Sequence, residues 1–377
     1  MAFYRSTKKQ EGGGGLTFDT FEVTTPPDKT NYQPDSDLNI SGIVVTAAID
    51  SLSGNVGPYC TYSPTHFDEE GTVPITVSYR GNTTSFNVTV SEGIGTLEET
   101  NWNIIQTVAA QGMGLQYWAV GDTKTITLNG NVGDYLQLSN YSCKVFVLGF
   151  NHNNINGIYF QCFMQEINDA NKLIALYPED GYDTLYTSGK RFNMNHWGAK
   201  TYGGWKGCDL RYDILGSTDV APDGYGAQAV SGRVGYDATS TCATNPVANT
   251  LMAALPSNLR AVIAPMTVYS DNVGGTDGAE KVTSSIDYLP LAAEFEVFGR
   301  KSYANVGEQT YQKQFDYYKN NSMTFYRHSS TNNTLKVKLR SYKVNSNANF
   351  AIIAANGGLS DGNAAAPQGL APIFRVA

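Results

Sequence analysis

Apolar residues recur at every second position in several short runs in the first quarter of the chain. Three of these runs cover residues 43–47, 75–79 and 86–90, and a Gly-Asn turn separates the last two. Alternation with period two places one side of each run in a core and the other in water, which is the pattern of half-buried strands. Short strands joined by two-residue turns pack as two layers. We therefore predict a β-sandwich for residues 16–91.

Composition limits the class of protein. The chain has 377 residues, of which 41% are hydrophobic and only 16% charged, while glycine (38) and tyrosine (24) are abundant. This profile is typical of β-rich proteins that work outside cells. The net charge of −8 opposes binding to a phosphate backbone, so we expect no nucleic-acid partner. No apolar run approaches the length of about 20 residues that spans a bilayer, so we expect no membrane insertion.

The first 15 residues, MAFYRSTKKQEGGGG, are polar, carry a small positive excess and end in four glycines. Such a glycine run does not hold one backbone conformation by itself, so we predict a flexible arm and a hinge at residues 1–15. The stretch has no apolar core of a secretion signal. We expect synthesis in a cytoplasm without export by a leader.

The rest of the chain predicts helices and strands in mixed order after a linker at residues 92–100. Residues 102–111 place apolar side chains on one helical face, and a third helix is predicted at 246–264 with an interruption at Pro256. Strand-like runs follow the first helix and return from residue 288 onward, including YLPLAAEFEVFG. Because the order lacks regular βαβ spacing, we predict an α+β domain at residues 101–377.

The stretch GGWKGCDLRYDIL predicts the second helix. Trp205, Cys208, Tyr212 and Leu215 follow a helical spacing that makes one buried stripe, and Arg211 is expected at its edge. A nucleophilic cysteine needs a base to form its thiolate, and none lies at a useful spacing. We predict that this stretch is a packing element and that the protein is not an enzyme. The odd number of cysteines, five in all, predicts buried free thiols rather than a disulfide framework.

Residues 16–91 resemble the bacterial immunoglobulin-like domains of Gram-positive surface proteins and phage tail proteins. The runs DKTNYQPDSDLNISGIVVTAAI and YSPTHFDEEGTVPITVSYRGNTTSFNVTV carry the resemblance. It implies a spacer or an adhesive module. The segment from Asp50 to Tyr59 departs from the pattern because it is short, and we expect a strand to be lost or merged there.

Residues 100–376 resemble an uncharacterised C-type-lectin-like domain family of Firmicutes surface proteins and (pro)phage virion proteins. The ordered motifs NWNIIQTVAAQG, YWAVGDTKTITL, FNMNH with GGWKGCDLRYDIL, YLPLAAEFEVFG and a closing GLAPIFRV carry it. In this chain Val337 and Lys338 stand where the family has a tryptophan before Leu-Arg-Ser. The resemblance implies packing roles for Trp205, Arg211, Leu255, Pro256, Phe298, Leu339, Arg340, Gly369, Pro372 and Phe374.

Several side chains are candidate metal ligands or catalytic acids. Calcium binds loop oxygens, and the loop SDNVGGTDGAE offers four side chains for it, although no EF-hand spacing is present. Zinc needs histidines with partners at metal-site spacing, and glycoside hydrolysis needs two facing carboxylates. We predict no cofactor and no metal. The side chains concerned are Asp271, Asn272, Asp277 and Glu280 for calcium, His152 and His196 for zinc, and Glu179, Asp180 and Asp183 for hydrolysis.

Two long aperiodic stretches are the predicted binding surface, residues 177–202 and 216–249. Both carry aromatic residues among glycines and polar amides, and flat rings stack on sugars or protein partners at little entropic cost. Loops of this length in compact domains tend to be functional. Trp197 and Trp205 are assigned mainly to the core. The predicted binding residues, for a glycan or a protein partner, are Tyr182, Tyr186, Tyr202 and Tyr225.

Together these features predict a bacteriophage virion surface protein of the tail, baseplate or head-fibre type. It would bind a host-surface protein or glycan through loops of its lectin-like domain and contact other virion proteins through its arm. We expect a homo-oligomer or many copies per virion, made in the bacterial host cytoplasm. Two alternatives stay open: a capsid or tail decoration protein without receptor binding, and a polysaccharide hydrolase.

Overall fold

The protein is β-rich and divides into two compact units. Strands make up 41% of the computed structural model and helices 16%. The units are Met1–Gly95 and Thr96–Ala377, and the predicted linker at 92–100 spans their boundary. No helix in the described part of the chain is long and apolar enough to cross a membrane. The structure describes residues 17–28, 30–32, 34–91, 94–167, 169–178, 192–195, 203–219 and 240–377.

Strands of the first unit form two main sheets, ordered β1-β4-β5 and β2-β9-β8-β6, and a small β3-β7 pair. All pairs are antiparallel except β2 with β9. The strands are β1 Thr20–Thr25, β2 Asn31–Tyr32, β3 Ser36–Asp37, β4 Val44–Ile49, β5 Leu52–Asn55, β6 Thr61–Ser63, β7 His66–Phe67, β8 Gly71–Tyr79 and β9 Asn82–Val90.

A shared apolar core joins the two main sheets of the first unit. Val45 of β4 and Val77 of β8 belong to one buried cluster, so the sheets pack face to face. The hairpin of β8 and β9 closes through Arg80 and Gly81, both at positive φ, which is one residue earlier than predicted. The alternation in these strands therefore reports real inward and outward faces.

The segment from Asp50 to Tyr59 does not lose a strand, so that expectation was wrong. β5 occupies Leu52–Asn55 and pairs antiparallel with β4. Its side chains are mostly exposed, and for that reason the segment lacks an apolar alternation that could be read from sequence. Asn55 compensates by accepting backbone N–H groups from Val45 and Gly57 through its Oδ1 atom, at 3.2 and 2.8 Å.

The second unit combines one large sheet with two smaller ones and short helices. The large sheet has the order β10-β11-β12-β13-β17-β18, with β22 pairing both β12 and β14. β15 pairs with β16, and β19, β20 and β21 form a separate sheet. The strands are β10 Thr123–Val132, β11 Leu136–Phe150, β12 Ile158–Ile167, β13 Ala170–Ala175, β14 Ile263–Ala264, β15 Met266–Asp271, β16 Val282–Asp287, β17 Phe325–Arg327, β18 Ser330–Leu335, β19 Val337–Tyr342, β20 Asn349–Ile353, β21 Leu359–Asn363 and β22 Ile373–Val376.

Helix α1 fastens the start of the second unit to the large sheet. Trp102 packs its ring edge-on against Phe160 of β12, with centroids 5.7 Å apart, and Phe160 stacks on Phe374 of β22 at 5.1 Å. All three rings are buried. The predicted helix is confirmed. The α-helices are α1 Trp102–Ala110, α2 Leu251–Ala254, α3 Ser257–Arg260, α4 Glu294–Phe298 and α5 Asp316–Asn320.

Two predicted helices are shorter than expected. The stretch GGWKGCDLRYDIL is turn at residues 203–207 and becomes helical only as a π-helical turn at Leu210–Ile214. The predicted helix at 246–264 reduces to the single turns α2 and α3, and Pro256 does interrupt it as predicted. Gly203 and Gly204 have positive φ, so the start of GGWKGCDLRYDIL is a turn and not helix.

YLPLAAEFEVFG is not a strand, because α4 occupies Glu294–Phe298. Arg211 is also not at the edge of a stripe: its side chain is fully buried. Val337 and Lys338, which precede Leu339, are both buried in β19. The last third of the chain is therefore packed around polar groups as well as apolar ones.

Candidate binding surface

The four predicted binding residues, Tyr182, Tyr186, Tyr202 and Tyr225, lie outside the described residues, as do Trp197 and the N-terminal arm. The candidate hydrolase carboxylates at 179, 180 and 183 and the histidine at 196 also lie outside them. The structure describes residues 177–178 and 192–195 of the first segment, residues 216–219 and 240–249 of the second, and residues 203–215 between them. Hydrogen bonds hold these described parts in place.

The first segment begins two residues after β13 and contacts residues at the end of β17. The backbone N–H of Tyr177 donates to Nδ1 of His328 at 3.3 Å, and Arg327 donates to the carbonyl of Pro178 at 3.1 Å. The guanidinium of Arg327 also lies over the Tyr177 ring, 5.0 Å from its centroid. Burial lowers the pKa of His328 to about 4, so its ring is neutral and its Nδ1 atom can accept. This end of the segment is fixed by charge and by hydrogen bonding.

A short middle part of the same segment, residues 192–195, is pinned between two other elements. Met194 donates its backbone N–H to the carbonyl of Ala364 at 2.8 Å, and its own carbonyl accepts from Leu210 at 3.1 Å. Phe192 and Met194 are fully buried. This part of the segment is therefore core rather than surface.

Two residues after the first segment, the backbone at Gly204 lies close to the backbone at Asp271. Gly204 has φ +54, and a Cβ atom there would lie 2.1 Å from the carbonyl oxygen of Asp271. No other residue fits without moving that backbone. Lys206 then donates its N–H to Oδ1 of Asn272 at 2.9 Å, and its carbonyl accepts from Nη1 of Arg211 at 3.1 Å.

Asp287, at the end of β16, binds two residues between the segments, Trp205 and Arg211, and one at the start of the second segment. Its Oδ1 accepts from Nε of Arg211 at 2.5 Å and from Oγ of Ser217 at 3.1 Å. Its Oδ2 accepts from Nε1 of Trp205 at 3.2 Å and from Oγ of Ser285 at 2.7 Å. The carboxylate and the guanidinium are both fully buried. Because four donors surround it, this ion pair has the additional hydrogen bonds that a buried charge requires.

Asp219 closes the second segment on itself. Its Oδ1 accepts the backbone N–H of Cys242 at 2.6 Å, and its Oδ2 accepts from the hydroxyl of Tyr288 at 3.0 Å. Burial, helped by the nearby Asp219 charge, raises the pKa of Tyr288 to about 12, which keeps this hydroxyl protonated and able to donate. Ser217 accepts the N–H of Tyr288 through its carbonyl at 2.6 Å. The described residues on either side of 220–239 are thus held next to each other by Asp219.

The cysteines have no activated thiol. All five are free, and all except Cys60 are buried. Cys208 is fully buried, as predicted, and burial raises its pKa to about 12. A thiol with that pKa is almost entirely protonated near neutral pH, and the thiolate is the nucleophilic form.

In the candidate calcium loop, the carboxylates of Asp271 and Asp277 already bind groups of the protein. Oδ1 of Asp271 accepts the N–H groups of Val273 and Gly274 at 3.0 and 2.7 Å, and its Oδ2 accepts from Asn305 at 2.8 Å. Asp277 pairs with Lys301. Among the residues that the structure describes, no group of three His, Cys, Asp or Glu side chains could hold a metal ion.

A shallow depression of about 520 Å³ borders this loop. One wall starts at Val273, directly after Asn272, which accepts the N–H of Lys206. Residues 345–347, which follow β19, form the other wall. Val273 is an exposed apolar side chain, while the far wall presents amides and a hydroxyl. The lining residues are Val273, Gly274, Gly275, Thr276, Tyr342, Asn345, Ser346 and Asn347.

Eight of the ten residues with an implied packing role are buried, and Pro256 and Phe298 are half-buried. Arg340 shows why a charged residue can serve in a core: it forms two hydrogen bonds of 2.7 Å with the two carboxylate oxygens of Glu296. It also donates to the carbonyl of Leu291. Two-point contacts of this kind orient both side chains.

Sequence reasoning missed Asp287, Asp219 and Tyr288, which hold the segment ends. Comparison of the chain with protein-family models and with curated proteins finds no match to either. The two family resemblances therefore remain predictions. The geometry of the described residues has to carry the functional argument.

Proposed function

We propose that this protein is a bacteriophage virion surface protein that attaches to a host-surface glycan or protein. The observation that carries the proposal is the Asp287 network, which fixes the residues between the two long aromatic-bearing segments and the start of the second. Binding residues commonly lie on loops that a rigid scaffold positions, because such loops can change without disturbing a core. Tyr182, Tyr186, Tyr202 and Tyr225 are the proposed contact residues.

The finer fold assignments belong to the same proposal. Two packed, mainly antiparallel sheets in the first unit support an immunoglobulin-like spacer. A β-rich second unit with short helices, together with two long segments whose sequence lacks periodicity, supports a lectin-like binding domain. Residues 1–15 would anchor the protein to other virion proteins, and many copies would decorate the surface. The raised pKa of the buried Cys208 thiol argues against a nucleophilic role for that residue.

Alanine variants at three of the tyrosines test this proposal. We expect Tyr182→Ala, Tyr186→Ala and Tyr225→Ala each to weaken adsorption to host cells and glycan-array binding by about 1 kcal/mol or more, with little change in melting temperature. Tyr59→Ala is the matched control, since Tyr59 is 72% exposed but lies in the first unit.

A loss of stability without a specific adsorption defect would refute the binding role and favour the decoration protein. Release of new reducing ends from host wall polysaccharide would instead reveal a hydrolase. If the folded full-length protein neither adsorbs to host cells nor binds the glycan array, that result also counts against attachment.

A further inference from the structure

A second cavity, of about 260 Å³, lies in the larger unit on different residues from the two segments. The turn after β11, the strands β12 and β22, and the start of β15 form its walls. Apolar and aromatic side chains form about half of the wall, and polar groups form the rest. Small-molecule sites combine apolar walls with a few polar groups that orient the ligand. The residues that matter for the argument are His152, Tyr159, Met266, Phe315, Ile373 and Arg375.

Arg375 gives the cavity a positive charge. Its Nη1 and Nη2 atoms donate to the backbone carbonyls of Asn156 and Pro265, at 3.3 and 3.1 Å. Its Nε atom is buried, with no hydrogen-bond partner among the described groups. Backbone carbonyls hold the guanidinium in place, yet they do not neutralise it.

The carboxylate in the cavity wall does not neutralise Arg375 either. Glu296 binds Arg340 through both of its oxygens at 2.7 Å, and it also accepts the N–H of Ala293 at 2.9 Å. Its charge is therefore already compensated. When Arg340 is counted together with its partner Glu296, the charge of Arg375 is left uncompensated at the cavity, and it favours an anionic ligand.

His152 supplies a second polar atom. Its ring stacks on Phe315 with centroids 4.0 Å apart, and its Nε2 atom is buried without a partner in the described part of the chain. Burial lowers the pKa of this histidine, so the ring is neutral and one nitrogen can donate a hydrogen bond. The stacking fixes the ring orientation.

From this geometry we propose that the cavity binds a carboxylate carried on a six-membered ring. Arg375 would bind the carboxylate, His152 would donate to a ligand oxygen, and the apolar wall of Met266 and Ile373 would cover the ring. The volume equals that of about nine liquid waters, since each takes roughly 30 Å³, and a single ring with one carboxylate fits it.

Two sources could supply this chemistry, a uronic acid unit of an acidic glycan or a free aromatic acid. Titration of the full-length protein with D-glucuronate and with benzoate distinguishes them, with D-glucose and benzyl alcohol as the uncharged counterparts. We expect at least one carboxylate to bind roughly tenfold more tightly than its counterpart. Ligand-observed NMR and calorimetry are both suited to the weak affinity expected of so small a ligand.

Variants assign the binding to the cavity. Arg375→Gln removes the charge, and His152→Phe keeps the stack on Phe315 while deleting Nε2; each should weaken carboxylate binding roughly tenfold or more. Arg80→Gln, an exposed arginine of the first unit, makes the same change in net charge and should have no effect. If loss of two carbonyl contacts unfolds Arg375→Gln, then His152→Phe and the loss of affinity at high salt decide.

The proposal is overturned if neither carboxylate binds, if the uncharged counterparts bind equally well, or if His152→Phe binds as the wild type does. It does not depend on the attachment role, because none of the cavity residues belongs to the two segments. Binding that survives in the Tyr182, Tyr186 and Tyr225 variants would show that the two sites are separate.

Discussion

Replacing Lys338 with methionine should stabilise the larger unit. The Lys338 side chain is fully buried in β19, and its Nζ atom donates to Oε1 of Gln368 at 3.3 Å. Burial lowers its pKa from 10.5 to about 7. The folded state therefore releases a proton that the unfolded chain keeps between these two pH values, and folding loses stability as the pH falls from about 10 to about 7.

The magnitude follows from the two pKa values. Their difference corresponds to an upper limit of about 5 kcal/mol, of which more than 4 would be present at pH 7. Lys338→Met removes this cost but leaves the Gln368 carbonyl without its donor, which costs about 1 to 3 kcal/mol. We expect a net gain of about 2 kcal/mol at pH 7. The advantage over the wild type should shrink by about 3 kcal/mol at pH 9.5.

Urea unfolding followed by tryptophan fluorescence measures this effect. All four tryptophans of the chain, Trp102, Trp118, Trp197 and Trp205, belong to the larger unit, so the signal does not include the first unit. Lys336→Met is the control, since this lysine is exposed and its replacement should change stability by no more than about 0.5 kcal/mol. A stability difference that is independent of pH would refute the reasoning.

Three further predictions use the same assay or simple extensions of it. Asp287→Asn should destabilise the larger unit by about 3 to 5 kcal/mol, because it leaves the buried Arg211 charge uncompensated. Asp277→Asn, which breaks a partly exposed pair, should cost about 1 kcal/mol or less. Equal losses in the two variants would contradict the central position of Asp287 in its network. Cys208→Ala should cost about 1 to 3 kcal/mol through lost packing and leave attachment intact, and rapid thiol labelling of native Cys208 would argue against its burial. Deletion of residues 1–15 should leave folding unchanged and prevent incorporation into particles, so incorporation at the wild-type level would place the anchor elsewhere.

Sequence pattern predicted the elements whose two faces differ. The hairpin of β8 and β9 has one face in the core and one in water, so its alternation marks Ile75, Val77 and Val88 as buried. Helix α1 likewise buries Trp102 and Ile105 on one side only. In such elements hydrophobic periodicity carries the fold directly.

Pattern failed where an element is buried on all sides. Residues 208–218 are all buried, polar and apolar alike, so the helical spacing of Trp205 and Cys208 did not mark one stripe. Alternation failed in α4 for a related reason: Glu294 and Glu296 are as buried as Val297, because backbone N–H groups and Arg340 bind their carboxylates.

The role of Asp287 could not be predicted from the sequence because its contacts are long-range. Asp287 meets Trp205, Arg211 and Ser217 across 70 to 82 positions of the chain. Nothing local distinguishes it from other aspartates that follow a strand. Sequence did indicate the two long segments themselves, through their lack of periodicity, but not what holds their ends.

The contact between Asp219 and Cys242 joins two positions that lie 23 residues apart in the sequence. The backbone N–H of Cys242 donates to Oδ1 of Asp219 at 2.6 Å. Closing a chain segment costs only about 0.6 kcal/mol more in entropy for each doubling of its length. We therefore expect the larger unit to tolerate changes in the length and sequence of residues 220–239. Such tolerance would allow this part of the sequence to vary while the described residues around it stay constant.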